Sequence, residues 1–227
     1  MIHQVANGLW VAEQDLQVAG LGIGARMTVM RVADGSLLLH SPIACDESLR
    51  SEIELLGEPR WAVAPNRFHH LFVDRWAEAF ADLELWVAPG LEKKRPDLAI
   101  DGIFGTSEAP AAWVDEIDYL LFEGYSFANE VAFCHRPSRT LVLTDLAFNF
   151  GQEAPRATRI VFSLLGAYGH FGPSILEHLL FRDRVAARRS METILGWDFD
   201  RIIVSHGEIL ESDGQRVLAD SYRWLLG

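Results

Sequence analysis

Residues 129–149 read NEVAFCHRPSRTLVLTDLAFN, and the rest of the chain is best understood outward from them. NEVAFCHRP (129–137) reads as a strand, Pro137-Ser138-Arg139 as a turn, and TLVLTDLAF (140–148) as a strongly apolar strand with an acid, Asp145, at its end. A strand holds such a side chain rigidly, while the loop beyond leaves it open to solvent. Two other stretches share the arrangement. VAPNRFHH (63–70) sets Asn66, His69 and His70 just past a strand, and IIVSHG (202–207) sets His206 at the end of another. Singly, each has a plain structural reading: Asp145 as a cap, the His69-His70 pair as a helix start, His206 as part of a turn. Together, imidazoles and a carboxylate suit a transition metal whose open side leaves room for a reactive water.

Around these stretches the pattern is that of helices covering sheets. MTVMRVA (27–33), Asp34-Gly35 and SLLLHSPI (36–43) predict a hairpin. ESLRSEIELLG (47–57) predicts an amphipathic helix closed by Gly57. A strand at 60–66, a helix at 69–80 and a strand at 83–90 follow. The second half repeats the scheme, with strands at 113–124, 129–137 and 140–148, helices over 156–168 and 173–195, a strand at 199–207 and a helix at 213–226. Two β-rich halves with helices between and after them predict an α/β (α+β) fold, a four-layer αββα sandwich. No repeat, low-complexity tract or long linker divides the chain, so residues 1–227 are read as one domain. IVFSLLGAYGHFG (160–172) is too short to span a membrane and reads as a buried helix, with a greasy lip at a pocket mouth or membrane surface as the alternative.

Composition narrows the function classes. Hydrophobic residues make up 49% of the 227 and charged ones 23%, an ordinary globular balance. Thirty-two acids against 20 bases give a formal charge of −12, which argues against nucleic acid as a partner. The basic groups at Lys93, Lys94 and Arg95 and from Arg182 to Arg189 read as solvated faces. Cys45 and Cys134 lie outside any CxxC pair among apolar neighbours and read as reduced. With no basic-then-apolar leader in MIHQVANGLW, a cytoplasmic location is expected, without stable membrane insertion. Phe68, Phe72, Trp76, Phe127, Phe148 and Phe150 near the candidate site favour a small organic ligand.

In order and spacing these stretches resemble the metallo-β-lactamase-like superfamily. Its members carry His-x-His-x-Asp-His after an early strand, a His in mid-chain, an Asp ending a later strand and a His near the C-terminus. PNRFHH, LTDLAF and VSHGE stand at the corresponding places, and the resemblance spans about residues 5–210. LLLHSP, PGLEKKRP and the 129–149 stretch further resemble an uncharacterised branch of it, known only as a domain of unknown function. The motif departs from the pattern. Asn66 and Phe68 take the places of the first two histidines, His69 falls at the Asp position and His70 at the next His. GYSFANE, with Ser126, Asn129 or Glu130, replaces the mid-chain His. The resemblance therefore implies that the three-imidazole position is dismantled and the second retained. His69, His70, Asp145 and His206 then form the candidate ligand set for one Zn²⁺ or Fe²⁺ ion, a set that could omit His69 or His70.

His40, ending LLLH, is expected to support the metal loops rather than ligate. Glu130 stands as a general base or an ordinary ion-pair partner, and Asp74 as an orienter of His70 or a plain surface acid. His3, His135, His170 and His178 are assigned no chemistry. The implied activity is hydrolysis of an ester, thioester, lactone or similar small substrate. An ion lowers the pKa of its bound water from about 15.7 towards about 7, Asp145 orients that water, and Asn66 or Asn129 steadies the oxyanion. The competing expectation is a binding or scaffold protein that keeps the fold without a catalytic ion.

Overall fold

The computed structural model describes residues 1–113 and 115–227. Strands β1 (Ile2–Ala6), β2 (Leu9–Gln14), β5 (Ala25–Arg31), β6 (Leu37–His40), β7 (Pro59–Ala64), β8 (Glu84–Val87) and β9 (Gly102–Ile103) form one sheet in that order. Its pairings are antiparallel as far as β5–β6 and parallel from there on. A short ribbon, β3 (Gln17–Val18) with β4 (Leu21–Gly22), projects between β2 and β5. The second sheet is β10 (Ile117–Leu121), β11 (Val131–His135), β12 (Thr140–Leu143) and β13 (Arg201–Val204), with only β12–β13 parallel. Helices α1 (Glu47–Leu56), α2 (Val73–Ala79) and α3 (Leu91–Lys94) belong to the first half. Helices α4 (Arg156–Leu164), α5 (Ile175–Leu180), α6 (Arg184–Leu195), α7 (Gly214–Ser221) and α8 (Arg223–Leu226) belong to the second.

Side-chain alternation builds the layers. Leu37 and Leu39 face Ile53 and Trp76 beneath α1 and α2, whereas Leu38 meets Trp61, Phe133 and Val142 between the sheets. Leu141, Leu143, Ile202 and Val204 face Met191 of α6 and Leu218 of α7, while Val142 and Ile203 point to the inter-sheet core. Helix, sheet, sheet and helix thus stack as the expected four-layer αββα sandwich. With both faces of each central strand covered, the sequence shows runs such as LLL and IIV instead of alternation. Each such side chain contributes about 1.5–3 kcal/mol of burial.

Several boundaries differ from expectation for local reasons. The helix expected from residue 69 begins at Val73, because Asn66 Oδ1 accepts from the amides of Phe68 and His69 and turns the chain first. The span 173–195 is two helices, since Ser174 with Glu177 forms a capping box for α5 and Asp183 caps α6. Residues 213–226 divide at Tyr222, and the strand expected from 113 starts at Ile117. The burial expected for 160–172 is overturned: Ile160 and Leu164 are 64% and 77% exposed, with only one face of α4 turned inward. Cys134 is buried, Cys45 half-buried, and both are free. Among the described residues no helix is long and apolar enough to cross a membrane.

Candidate metal centre

Parallel pairing of β12 and β13 sets Leu143 opposite Val204, so Asp145 and His206 emerge two residues beyond the same rung. The strands' continuations stay together through a bridge between Asn149 and Gly207. Gly207 has φ +95°, and a Cβ there would fall within contact of the Asn149 carbonyl oxygen, so the approach requires glycine. The other sheet supplies the third member. His40 pairs with Val63 in β6–β7, and the chain beyond each strand brings Ser41 and His69 over the end of β12. Ser41 holds a left-handed backbone (φ +53°) and places its Oγ 2.7 Å from His69 Nδ1.

Hydrogen bonding fixes which ring atoms look inward. His206 Nδ1 lies 2.9 Å from the Gly24 carbonyl, which can only accept, so Nδ1 carries the proton. Nε2 is then the ring atom that faces the site. That nitrogen is 3.3 Å from His69 Nε2, and each is 3.5 Å from Asp145 Oδ1. Ser41 Oγ can donate to or accept from His69 Nδ1, so a proton on His69 Nε2 can bridge to His206 Nε2 or Asp145 Oδ1, and a metal can take that proton's place. The spacing fits a metal. The corners of a tetrahedron drawn about 2.1 Å from an ion are about 3.4 Å apart, matching all three edges. Among the described residues, His69, Asp145 and His206 are the group of donors close enough to hold one. Burial works against the charge on Asp145, but His69 and His206 beside it outweigh that and hold its carboxyl well below the usual carboxylate range.

Beside this cluster is a closed polar network. Asn66, fully buried, donates from Nδ2 to Asp145 Oδ2 (2.7 Å) and Thr144 Oγ1 (2.9 Å). Glu130, equally buried, accepts from the backbone amides of Thr144 and Asp145, both at 2.7 Å. Burial and the adjacent Asp145 push the Glu130 carboxyl well up. Neither Asn66 nor Glu130 lines the cavity above the cluster. Asn66 thus holds the Asp145 carboxylate from behind, and Glu130 holds the backbone that carries it.

His70 is not brought into the cluster. Its Nδ1 faces the Arg95 guanidinium at 3.3 Å, and burial with the cations Lys94 and Arg95 lowers its pKa. Arg95 also pairs with Asp74 and Asp97, so Asp74 reaches that ring only through Arg95. Asn129 donates to the Pro89 carbonyl, and Ser126 is exposed on the loop before it. His40 is buried edge-on against Phe133 without a protein partner for either nitrogen, and desolvation followed by the nearby His69 lowers its pKa to about 3.

Sequence reasoning missed Ser41, Gly24, Arg26 and Tyr125. Arg26, 7% exposed, donates to the carbonyls of Val204 and Gly207 and to Glu13, clamping the loop that carries His206. An arginine inside an apolar strand was the available signal, because a buried guanidinium needs partners. Tyr125 lines the cavity, and burial, reinforced by Glu177, keeps its phenol protonated. The cavity measures about 410 Å³. Phe68, Phe72, Phe127 and Phe148 line it, whereas Trp76 packs under the first sheet and Phe150 stacks behind Phe148.

A four-layer sandwich with a His/Asp cluster at the strand ends defines the metallo-β-lactamase-like class, and comparison with solved structures bears out the fold. A metallo-β-lactamase from Pontibacter korlensis superimposes with a TM-score of 0.64 at 12% identity, covering 99% of this chain and 98% of that one. One from Hirschia baltica gives 0.64 at 10% identity over 100% and 97%. The metallo-β-lactamase FIM-1 from Pseudomonas aeruginosa, in a mono-zinc form, gives 0.62 at 10% over 100% and 92%. Residues 6–170 match the family described as Domain of unknown function (DUF4336), and the chain belongs to that family. No curated protein matches it.

Proposed function

We propose that the protein is a metal-dependent hydrolase that works with a single ion held by His69, Asp145 and His206. The observation that carries this reading is the convergence of three atoms of metal-ligand type at 3.3–3.5 Å beneath an open cavity. Asn66 and Glu130, which stand where further ligands are expected, already have hydrogen-bond partners, and that supports one ion over two. The mono-zinc form of FIM-1 is a structure of the same fold with one ion. Zn²⁺ bound there would act as a Lewis acid and would acidify water to a nucleophile at neutral pH.

The chain's own residues do the rest. Gly24 fixes the His206 tautomer, Ser41 orients His69, and Asn66 steadies Asp145. Tyr125 donates its O–H to Glu177 Oε1 (3.4 Å) and closes the cavity wall beside the cluster. The substrate class is an ester, thioester or lactone. The Phe68 side chain, which cannot ligate, and the closed Asn66–Glu130 network favour the second reading, a binding protein of the same fold.

Metal content of protein purified without chelators decides between them. One equivalent of metal is expected, falling below a tenth of an equivalent in His69→Ala and His206→Ala and persisting in His70→Ala. Metal-free parent protein that also takes up no added Zn²⁺ would leave the binding-protein reading standing.

A further inference from the structure

Hydrocarbon makes up most of the cavity wall, from Ile23, Phe127, Phe148, Phe162, Leu165 and their neighbours. At about 410 Å³ it falls within the size range of small-molecule sites, about 300–1,000 Å³. Asp145 and Glu177 are the carboxylates on the wall, and no Lys or Arg lines it. Around the mouth stand Val18, Leu71, Phe127 and Leu176, each 46–53% exposed and carried by four separate segments. Single exposed apolar side chains need no explanation, but a ring of them around one opening marks a ligand site.

We propose that this cavity takes the hydrocarbon chain of an uncharged ester or lactone whose carbonyl lies at the Asp145–His206 end, an inference that rests on the hydrolase reading. Away from the Asp145–His206 end the wall offers a charged tail no lysine or arginine, whereas an alkyl chain exchanges water for an apolar surface. Water adds its oxygen to the acyl carbon and the ester C–O bond breaks. One proton ends on the alcohol and the other goes to solvent as the acid ionises.

Binding and hydrolysis measured separately test this. Titration of the purified full-length protein with 1-alkanols of four to ten carbons should lower Kd about fourfold per methylene until the cavity is full. ω-Hydroxycarboxylates of equal length should bind the chelator-treated protein at least tenfold more weakly, since their charge then meets Asp145 and Glu177. Leu176→Asp, at a half-exposed position, should flatten the alkanol series. A flat series in the parent protein, or tighter binding of the carboxylates, overturns the inference. p-Nitrophenyl esters of the same lengths, given to zinc-loaded protein, separate the two readings. A steep alkanol series with no ester cleaved sinks the hydrolase reading and leaves the pocket. Cleavage at a rate independent of chain length sinks the pocket and leaves the hydrolase.

Discussion

Two groups of polar side chains sit side by side at the strand ends, and they are built on opposite principles. In the Asn66–Glu130–Thr144 group each donor meets an acceptor, and both carboxylate oxygens of Glu130 are taken by backbone amides. In the His69–Asp145–His206 group three atoms of metal-ligand type converge at 3.3–3.5 Å. The first is closed; the second opens on a cavity. A satisfied network stabilises the fold, whereas convergent ligand atoms leave a place that a cation can fill. One scaffold thus carries a closed half and an open half, joined at Asp145 by its hydrogen bond from Asn66.

That contrast can be broken by substitution. Glu130→Ala should have the largest effect on folding, because it orphans the amides of Thr144 and Asp145 in the core. A loss of about 3 kcal/mol is expected by chemical denaturation. A loss under about 0.5 kcal/mol would show that the closed half is not structural.

His40 gives a pH test on the margin of the two groups. Its folded pKa of about 3 lies below the usual 6.5, so the unfolded chain takes up a proton that the folded one refuses. Its contribution is fully present above pH 6.5 and drains as pH falls towards 3, at about 1.4 kcal/mol per pH unit. Between pH 6.5 and 5, His40→Leu should therefore lose about 2 kcal/mol less than the parent in paired denaturation curves. Parallel curves would remove His40 from the account.

Arg26→Met should be gentler and fall on the open half. Without its clamp on Val204 and Gly207, His206 loosens, and Zn²⁺ affinity measured against a chromophoric chelator should drop about tenfold. Unchanged affinity would mean that the β12–β13 rungs alone position the ring.

Much of this was legible in the sequence, and the limits of that legibility are physical. LVLTD and IIVSH announce strands covered on both faces with a polar residue delivered at the end, so Asp145 and His206 follow from local pattern. His69 and His70 could not be separated that way, because what parts them is distant in sequence: Ser41 takes one ring and Arg95 approaches the other. Asn66 was visible as a polar strand-end residue, but its double acceptance from Phe68 and His69, which delays α2, is a turn no periodicity reports. Gly24 and Tyr125 carry no motif at all. They matter only through the tertiary partners they meet.

The parallel rung between Leu143 and Val204 also sets an order of events. Its two strands are separated by α4, α5 and α6, so the rung closes only when a long crossover has been wound. A nascent chain that has not yet made residues 201–206 owns His69 and Asp145 but no partner strand to align them. The three-residue cluster thus exists only once the ladder is finished.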